Sequence, residues 1–194
     1  MEIYLVRHTQ VAVGPTICYG QTDVHPAHTF DEEVASLQQR LAGINWEAIY
    51  TSPLSRCARL APFFSAAHVI TDPRLMEFNF GHWELQPWKE IDPVQLKQWS
   101  SDFVNQSAPA GETYGQLYER VIRSWNEMLE RDHQGNVIVL THGGVIRAIL
   151  AHLLSIPLQK SFHLDISYGS VSCVQVNPSQ EHGRFSKVLY VNRV

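Results

Sequence analysis

Cysteine is scarce in this 194-residue chain, with Cys18, Cys57 and Cys173 widely spaced and no CxxC pair. An odd, scattered set indicates neither a disulfide framework nor a thiolate metal site, and reduced thiols in a cytoplasm are the simpler reading. Charge is also sparse: the formal net charge of −4 argues against a broad electrostatic nucleic-acid footprint. An anionic ligand must then be held by a few placed cations. Long apolar runs are lacking as well. The most apolar stretch, Val145 to Ile156, is broken by Arg147 and His152 and is too short and too polar to span a bilayer. Glu2 precedes only a very short apolar run, which does not read as a signal peptide. There is no internal repeat, low-complexity segment or interdomain linker, so residues 1–194 are expected to form a single domain with a real core.

What is present is an alternation of strand and helix patterns, which argues for the α/β class. Two short β-branched runs, Ile3 to Val6 and Val137 to Leu140, read as buried parallel strands, and each leads into a histidine: Arg7-His8 after the first, Thr141-His142-Gly143-Gly144 after the second. In an open α/β sheet, ligands bind outside the carboxyl ends of the strands. Both imidazoles are therefore candidates for one site. Asp31 is a candidate cap for a helix with Val34, Leu37 and Leu41 on one face. Glu47 to Tyr50 reads as a short strand, after which Ser52 and Pro53 suit the N-cap and first position of a helix. Thr113 to Arg131 carries Tyr114, Leu117, Val121, Trp125 and Met128 at helical spacing. Val145 to Ser155 reads as a buried helix, and Ser170 to Val176 with Phe185 to Val191 as two strands joined by a polar turn.

Four segments bring titratable or cationic groups to element ends. Arg7-His8 closes a strand; Ser52-Pro53-Leu54-Ser55-Arg56 opens a helix; Arg74 to Glu84 sets Glu77 and Glu84 among aromatic residues, where desolvation favours a protonated carboxyl. Gly143-Gly144 offers amides to an anion at a helix start. Singly, each has a structural reading: a loop histidine, a helix start, solvated acids, tight strand-to-helix packing. Together, in this order, they are hard to explain as packing. A metal centre on His8, His142 and a carboxylate is the competing reading, but two first-shell arginines would repel a dication.

The order Arg-His, Ser-Pro-Leu-x-Arg, Arg-Leu-x-Glu-x-x-Phe-Gly-x-Trp-Glu and Thr-His-Gly-Gly resembles the histidine phosphatase superfamily, which includes the cofactor-dependent phosphoglycerate mutases; the resemblance spans residues 1 to about 156. It implies a three-layer α/β/α fold with a mostly parallel sheet, like that of phosphoglycerate mutase. It also implies hydrolysis of a small phosphomonoester without metal or other cofactor. Carried over by motif, His8 is the nucleophile, Arg7 and Arg56 hold the phosphoryl group, His142 completes the cage with Gly143, and Glu77 is the proton donor. Glu84 matches a recurrent position without an assigned role. The family usually reads Arg-His-Gly, whereas Thr9 stands here after His8.

The loop Cys18 to Asp23 lies where this family lines its pocket, so Gln21 and Thr22 are candidate substrate ligands, a plain polar turn being the alternative. Trp83, Trp88 and Trp99 are expected over the pocket mouth, as a lid core or as stacking faces, and His82 as a neighbour of Glu77. The short Glu77 to His142 spacing leaves less room for a capping insertion than the mutases carry. This favours a phosphatase, and the loop and chain length are similar to the α-ribazole phosphatase branch of cobalamin synthesis. A broad phosphosugar or nucleotide phosphatase, a phosphoglycerate mutase and a non-enzymatic phosphosugar-binding module are the alternatives.

Overall fold

The computed structural model describes residues 1–131, 133–179 and 183–194. Its centre is a six-stranded sheet built from β1 (Glu2–Arg7), β2 (Trp46–Thr51), β3 (Ala66–Thr71), β4 (Asn136–Thr141), β5 (Val171–Ser179) and β6 (Gly183–Arg193), in the order β3-β2-β4-β1-β5-β6. The first four are parallel; β5 runs antiparallel to β1, and β6 to β5. The sheet is thus mostly parallel, with an antiparallel edge. The turn expected between the last two strands falls at residues 180–182, outside the described residues.

The β-branched runs form strands because both of their faces are covered. The α-helices in chain order are α1 (Phe30–Arg40), α2 (Ser55–Ala58), α3 (Pro93–Ser101), α4 (Tyr114–Glu130) and α5 (Gly143–Leu154). Ile3, Leu5, Val137 and Val139 point into a core with α4 and α5, while Tyr4, Val6, Ile138 and Leu140 point into a second core with α1. Alternation of side chains along each strand divides them between these two layers. All five residues of the stripe expected on α4 are buried, and Thr113 and Gln116 close a reciprocal cap at its start.

Two starts differ from expectation. Thr29, not Asp31, occupies the position before α1, and Asp31 lies in the first turn with Glu32 and Glu33, where carboxylates suit the positive end of the helix dipole. Ser52 and Pro53 lie outside the helix and Leu54 before it is extended, so the helix there, α2, begins only at Ser55 and is a single turn; Ser52 Oγ accepts the Leu54 N–H at 3.3 Å. The strand β3 was not foreseen. It is a sheet edge with mostly exposed side chains, hence without the apolar pattern of its neighbours.

This topology positions the site. β1 and β4 are neighbours in register, Arg7 opposite Thr141, yet the helices that follow them, α1 and α5, leave to opposite faces of the sheet. A crevice opens at such a switch point, outside the strands' carboxyl ends.

Candidate active site

His8 and His142 are the residues that follow β1 and β4, so parallel pairing brings them side by side: the His8 N–H donates to the Thr141 carbonyl at 3.0 Å, and the two ring centroids are 5.1 Å apart. Both side chains are buried. His8 Nδ1 lies 2.7 Å from the Thr9 carbonyl oxygen. A carbonyl can only accept, so Nδ1 carries the proton and donates it there. Burial first, then the charges of Arg56 and Arg7, hold the His8 imidazole well below its ordinary value, which keeps it neutral. Nε2 is then the ring nitrogen with a free lone pair. Thr9, the departure from the usual glycine, is fully buried and supplies this carbonyl.

His142 takes the opposite tautomer. The Arg56 Nε–H donates to His142 Nδ1 at 3.3 Å, which leaves Nε2 protonated and donating to Ser52 Oγ at 2.8 Å. Burial, then Arg56, again lowers its proton affinity. Cys57 Sγ approaches within 3.5 Å of His142 Nε2, but burial pushes its thiol far up. It stays protonated and is no rival nucleophile.

The two arginines are held by neutral groups. Arg56 has no exposed surface; its Nη2 donates to the Gly20 carbonyl at 2.6 Å and its Nη1 to the Thr22 carbonyl at 2.9 Å. Arg7 Nη1 donates to the Ile166 carbonyl at 2.6 Å, and its guanidinium lies 3.7 Å from the centre of the Tyr168 ring. Among the described residues neither forms an ion pair with a carboxylate. Arg7 Nε and Thr9 Oγ1 are also buried without a protein partner. Buried donors of this kind suit a ligand, and two cations with no carboxylate in contact among the described residues suit an anion.

Beside this cage lies a cavity of about 260 Å³, lined by Arg7, Glu77, Gly144 and Arg147 on its polar side and by Phe78, Phe80, Trp88 and Phe162 on its apolar side. The Glu77 carboxylate accepts from the Phe78 N–H at 2.9 Å and the Gly144 N–H at 3.2 Å. A Cβ at residue 144 would meet that carboxylate and push it from its place. Gly143 begins α5 beside Arg7, and its added Cβ would lie 3.4 Å from Arg7 Nε.

The structure thus brings His8, His142, Arg7, Arg56, Glu77 and Gly143 into one place. Gln21 and Thr22 flank it, with their side chains committed inside the protein: the Gln21 amide donates to the Glu77 carbonyl at 3.0 Å and the Thr22 hydroxyl to Glu84. Trp83 and Trp99 form a small core with Ile91 and Ala108, and Trp88 stacks on Trp99 while reaching the cavity. His82 is exposed and does not line the cavity. Among the described residues no group of three or more His, Cys, Asp or Glu could hold a metal ion, and no helix is long and apolar enough to cross a membrane.

Two contributors were missed in the sequence. Arg147 stood there only as an interruption of an apolar run, although it sits four residues, one helical turn, after Gly143; its Nε donates to the Leu164 carbonyl at 2.9 Å and it forms no ion pair among the described residues. Tyr168 comes from a distant loop, with its ring 5.5 Å from that of His8 and its hydroxyl 2.7 Å from that of Tyr19. Nothing local in the sequence marks it.

Comparison with known proteins gives the family. Residues 3–188 match the family model of the histidine phosphatase superfamily (branch 1). The chain is similar to an adenosylcobalamin/alpha-ribazole phosphatase of Escherichia coli, 25% identical over 184 residues that cover 91% of each chain. It is similar also to a probable phosphoglycerate mutase of Yersinia enterocolitica, 26% identical, covering 92% of this chain and 86% of the other. The fold matches the alpha-ribazole phosphatase of Shigella flexneri with a TM-score of 0.87 at 22% identity, over 99% of this chain and 96% of that one. A mycobacterial glucosyl-3-phosphoglycerate phosphatase matches with a TM-score of 0.85 at 20% identity, over 100% and 99% of the two chains. The chain belongs to the histidine phosphatase superfamily and is a phosphatase.

Proposed function

We propose that this histidine phosphatase acts as a single domain over residues 1–194, hydrolysing α-ribazole 5′-phosphate in the cytoplasm through a phosphohistidine at His8. The observation that carries the reading is the state of His8: neutral, with its tautomer set by the Thr9 carbonyl, beside two arginines that have no carboxylate partner among the described residues. Arg7 and Arg56 take the phosphoryl oxygens and neutralise the charge that would repel a nucleophile. Nε2 of His8 forms a bond to phosphorus as the bond from phosphorus to the ester oxygen breaks. Glu77, at the cavity wall, gives its proton to the leaving oxygen. Water then attacks the phosphohistidine, its proton passes to the Glu77 carboxylate, and inorganic phosphate leaves with His8 restored. The His142 imidazole, its Nε2–H turned to Ser52, braces Arg56 through Nδ1.

For the leaving group, Phe80, Trp88 and Phe162 offer aromatic faces to a flat base. Arg147 favours a second reading, because a half-buried guanidinium at the cavity with no ion-pair partner among the described residues suits a phosphomonoester that carries a carboxylate. A panel of α-ribazole 5′-phosphate, a nucleoside 5′-phosphate, 3-phosphoglycerate and phosphoserine decides between them. The first reading expects the highest kcat/KM on α-ribazole 5′-phosphate. A preference for the carboxylated substrates that Arg147→Ala abolishes would establish the second.

A further inference from the structure

Glu84 is the residue of the Arg74 to Glu84 motif that the reaction leaves unused, and it is the most heavily hydrogen-bonded carboxylate near the site. Its Oε1 accepts from the Gln21 N–H at 2.8 Å and the Phe80 N–H at 3.0 Å; its Oε2 accepts from the Thr22 N–H at 2.5 Å and from the Thr22 hydroxyl. The same short loop presents its carbonyls the other way, Gly20 to Arg56 Nη2 and Thr22 to Arg56 Nη1. The Gly20 carbonyl and the Gln21 N–H belong to one peptide unit. That unit has a carboxylate on one edge and a guanidinium on the other.

We propose that Glu84 is a positioning residue, a counter-charge relayed to Arg56 through the Gly20–Gln21 peptide, which sets the guanidinium for the phosphoryl group without occupying it. A fully buried cation is costly without compensating charge. A carboxylate in direct contact would compensate it but would also take the donors that phosphate needs. One peptide unit between them resolves the conflict: the amide dipole is polarised from both ends and strengthens both hydrogen bonds. The loop backbone can approach so closely only at Gly20, whose φ is +40° and where a Cβ would meet the Glu84 carboxylate and the Phe78 carbonyl. The inference rests on the proposed function in one respect, that Arg56 binds the phosphoryl group.

Glu84→Gln tests it, because the amide that replaces one oxygen cannot accept an N–H. Two readouts are needed. In the phosphate-free protein, the Arg56 Nε–H resonance in a ¹H–¹⁵N spectrum, assigned with Arg56→Lys, is expected to move in Glu84→Gln and to move less in Thr22→Val, which removes one contact to Glu84 and carries the test if Glu84→Gln fails to fold. Inhibition by inorganic phosphate is expected to weaken about tenfold in Glu84→Gln, whereas Glu84→Gln combined with Arg56→Lys stays within about twofold of Arg56→Lys alone. An Arg56 resonance unmoved in both variants, or losses that multiply in the double variant, would overturn the proposal. If the resonance moves but the wild type binds no phosphate, the relay stands and the phosphoryl-binding reading of the site falls.

Discussion

Two arginines follow the carboxyl ends of neighbouring strands, Arg56 after β2 and Arg74 after β3, and they are held in opposite ways. Arg74 sits in a carboxylate clamp: its guanidinium donates to Asp72 at 2.8 Å and to Glu127 at 2.7 Å, and both interactions hold it above its ordinary value. Burial alone would raise the Asp72 carboxyl, but Arg74 and the Ser124 hydroxyl keep it below the usual range. Arg56 donates to two carbonyls and an imidazole nitrogen and faces the Tyr19 ring. The clamp is saturated and can offer an anion little. The cage is charged and, among the described residues, without a carboxylate in contact. Chain position and residue type are alike in the two places; the partners decide which arginine can take a ligand.

Removing the unsaturated arginine gives the largest expected effect. Arg56→Ala should lower kcat/KM on the order of 10³–10⁵-fold on any phosphomonoester, as loss of a phosphoryl-binding arginine does elsewhere. A loss below tenfold in steady-state assays would erase the contrast. Next comes Glu77→Gln, expected to cost on the order of 10²–10⁴-fold for substrates with a sugar hydroxyl as leaving group and far less for p-nitrophenyl phosphate. Glu84→Gln, by contrast, should lose equally on both substrates, since its effect passes through Arg56.

Acid separates the two clusters by stability. The buried imidazoles of His8 and His142 are held well below 6.5, so below that pH the unfolded chain binds protons that the folded chain refuses. Their contribution is therefore lost as pH falls from about 6.5, at up to about 1.4 kcal/mol per group per pH unit. The Asp72 carboxyl is shifted downward from 3.8, so what it contributes is lost only below that value. Urea unfolding between pH 7 and 5 should show the first loss, and His8→Asn should reduce its slope by about one proton. An unchanged slope would mean that His8 does not supply it. The smallest catalytic effect belongs to the clamp: Arg74→Ala should change kcat/KM by less than about threefold while costing roughly 1–3 kcal/mol in the same unfolding measurement at pH 7, because Asp72 loses its main donor.

The cage was legible in the sequence because its members sit at element ends with strong local signals. A β-branched run that stops at a histidine marks a strand terminus, and two such parallel strands in register place His8 beside His142 with no further information. The amphipathic stripe of α4 was equally plain. What escaped depends on contacts between distant segments. Tyr168 reaches Arg7 from a loop 161 residues away in number, and Glu84 reaches Gln21 and Thr22 across 63 and 62 residues. Arg147 interrupts an apolar helix in the sequence, and its role depends on α5 lining the cavity through Gly144 and Arg147. The edge strand β3 lacks a pattern because it lacks a covered face. The grouping of the cage residues was therefore readable, and the far wall of the cavity was not.

The central claim is that the unpaired arginines and the neutral His8 together make a phosphoryl acceptor. Rapid mixing with substrate, quenching without acid and intact mass measurement tests it directly. The account predicts an adduct of one phosphoryl group that acid destroys, maps to His8, and is absent in His8→Ala together with most of the activity. An active His8→Ala enzyme, or a phosphoryl adduct on another residue, would contradict it.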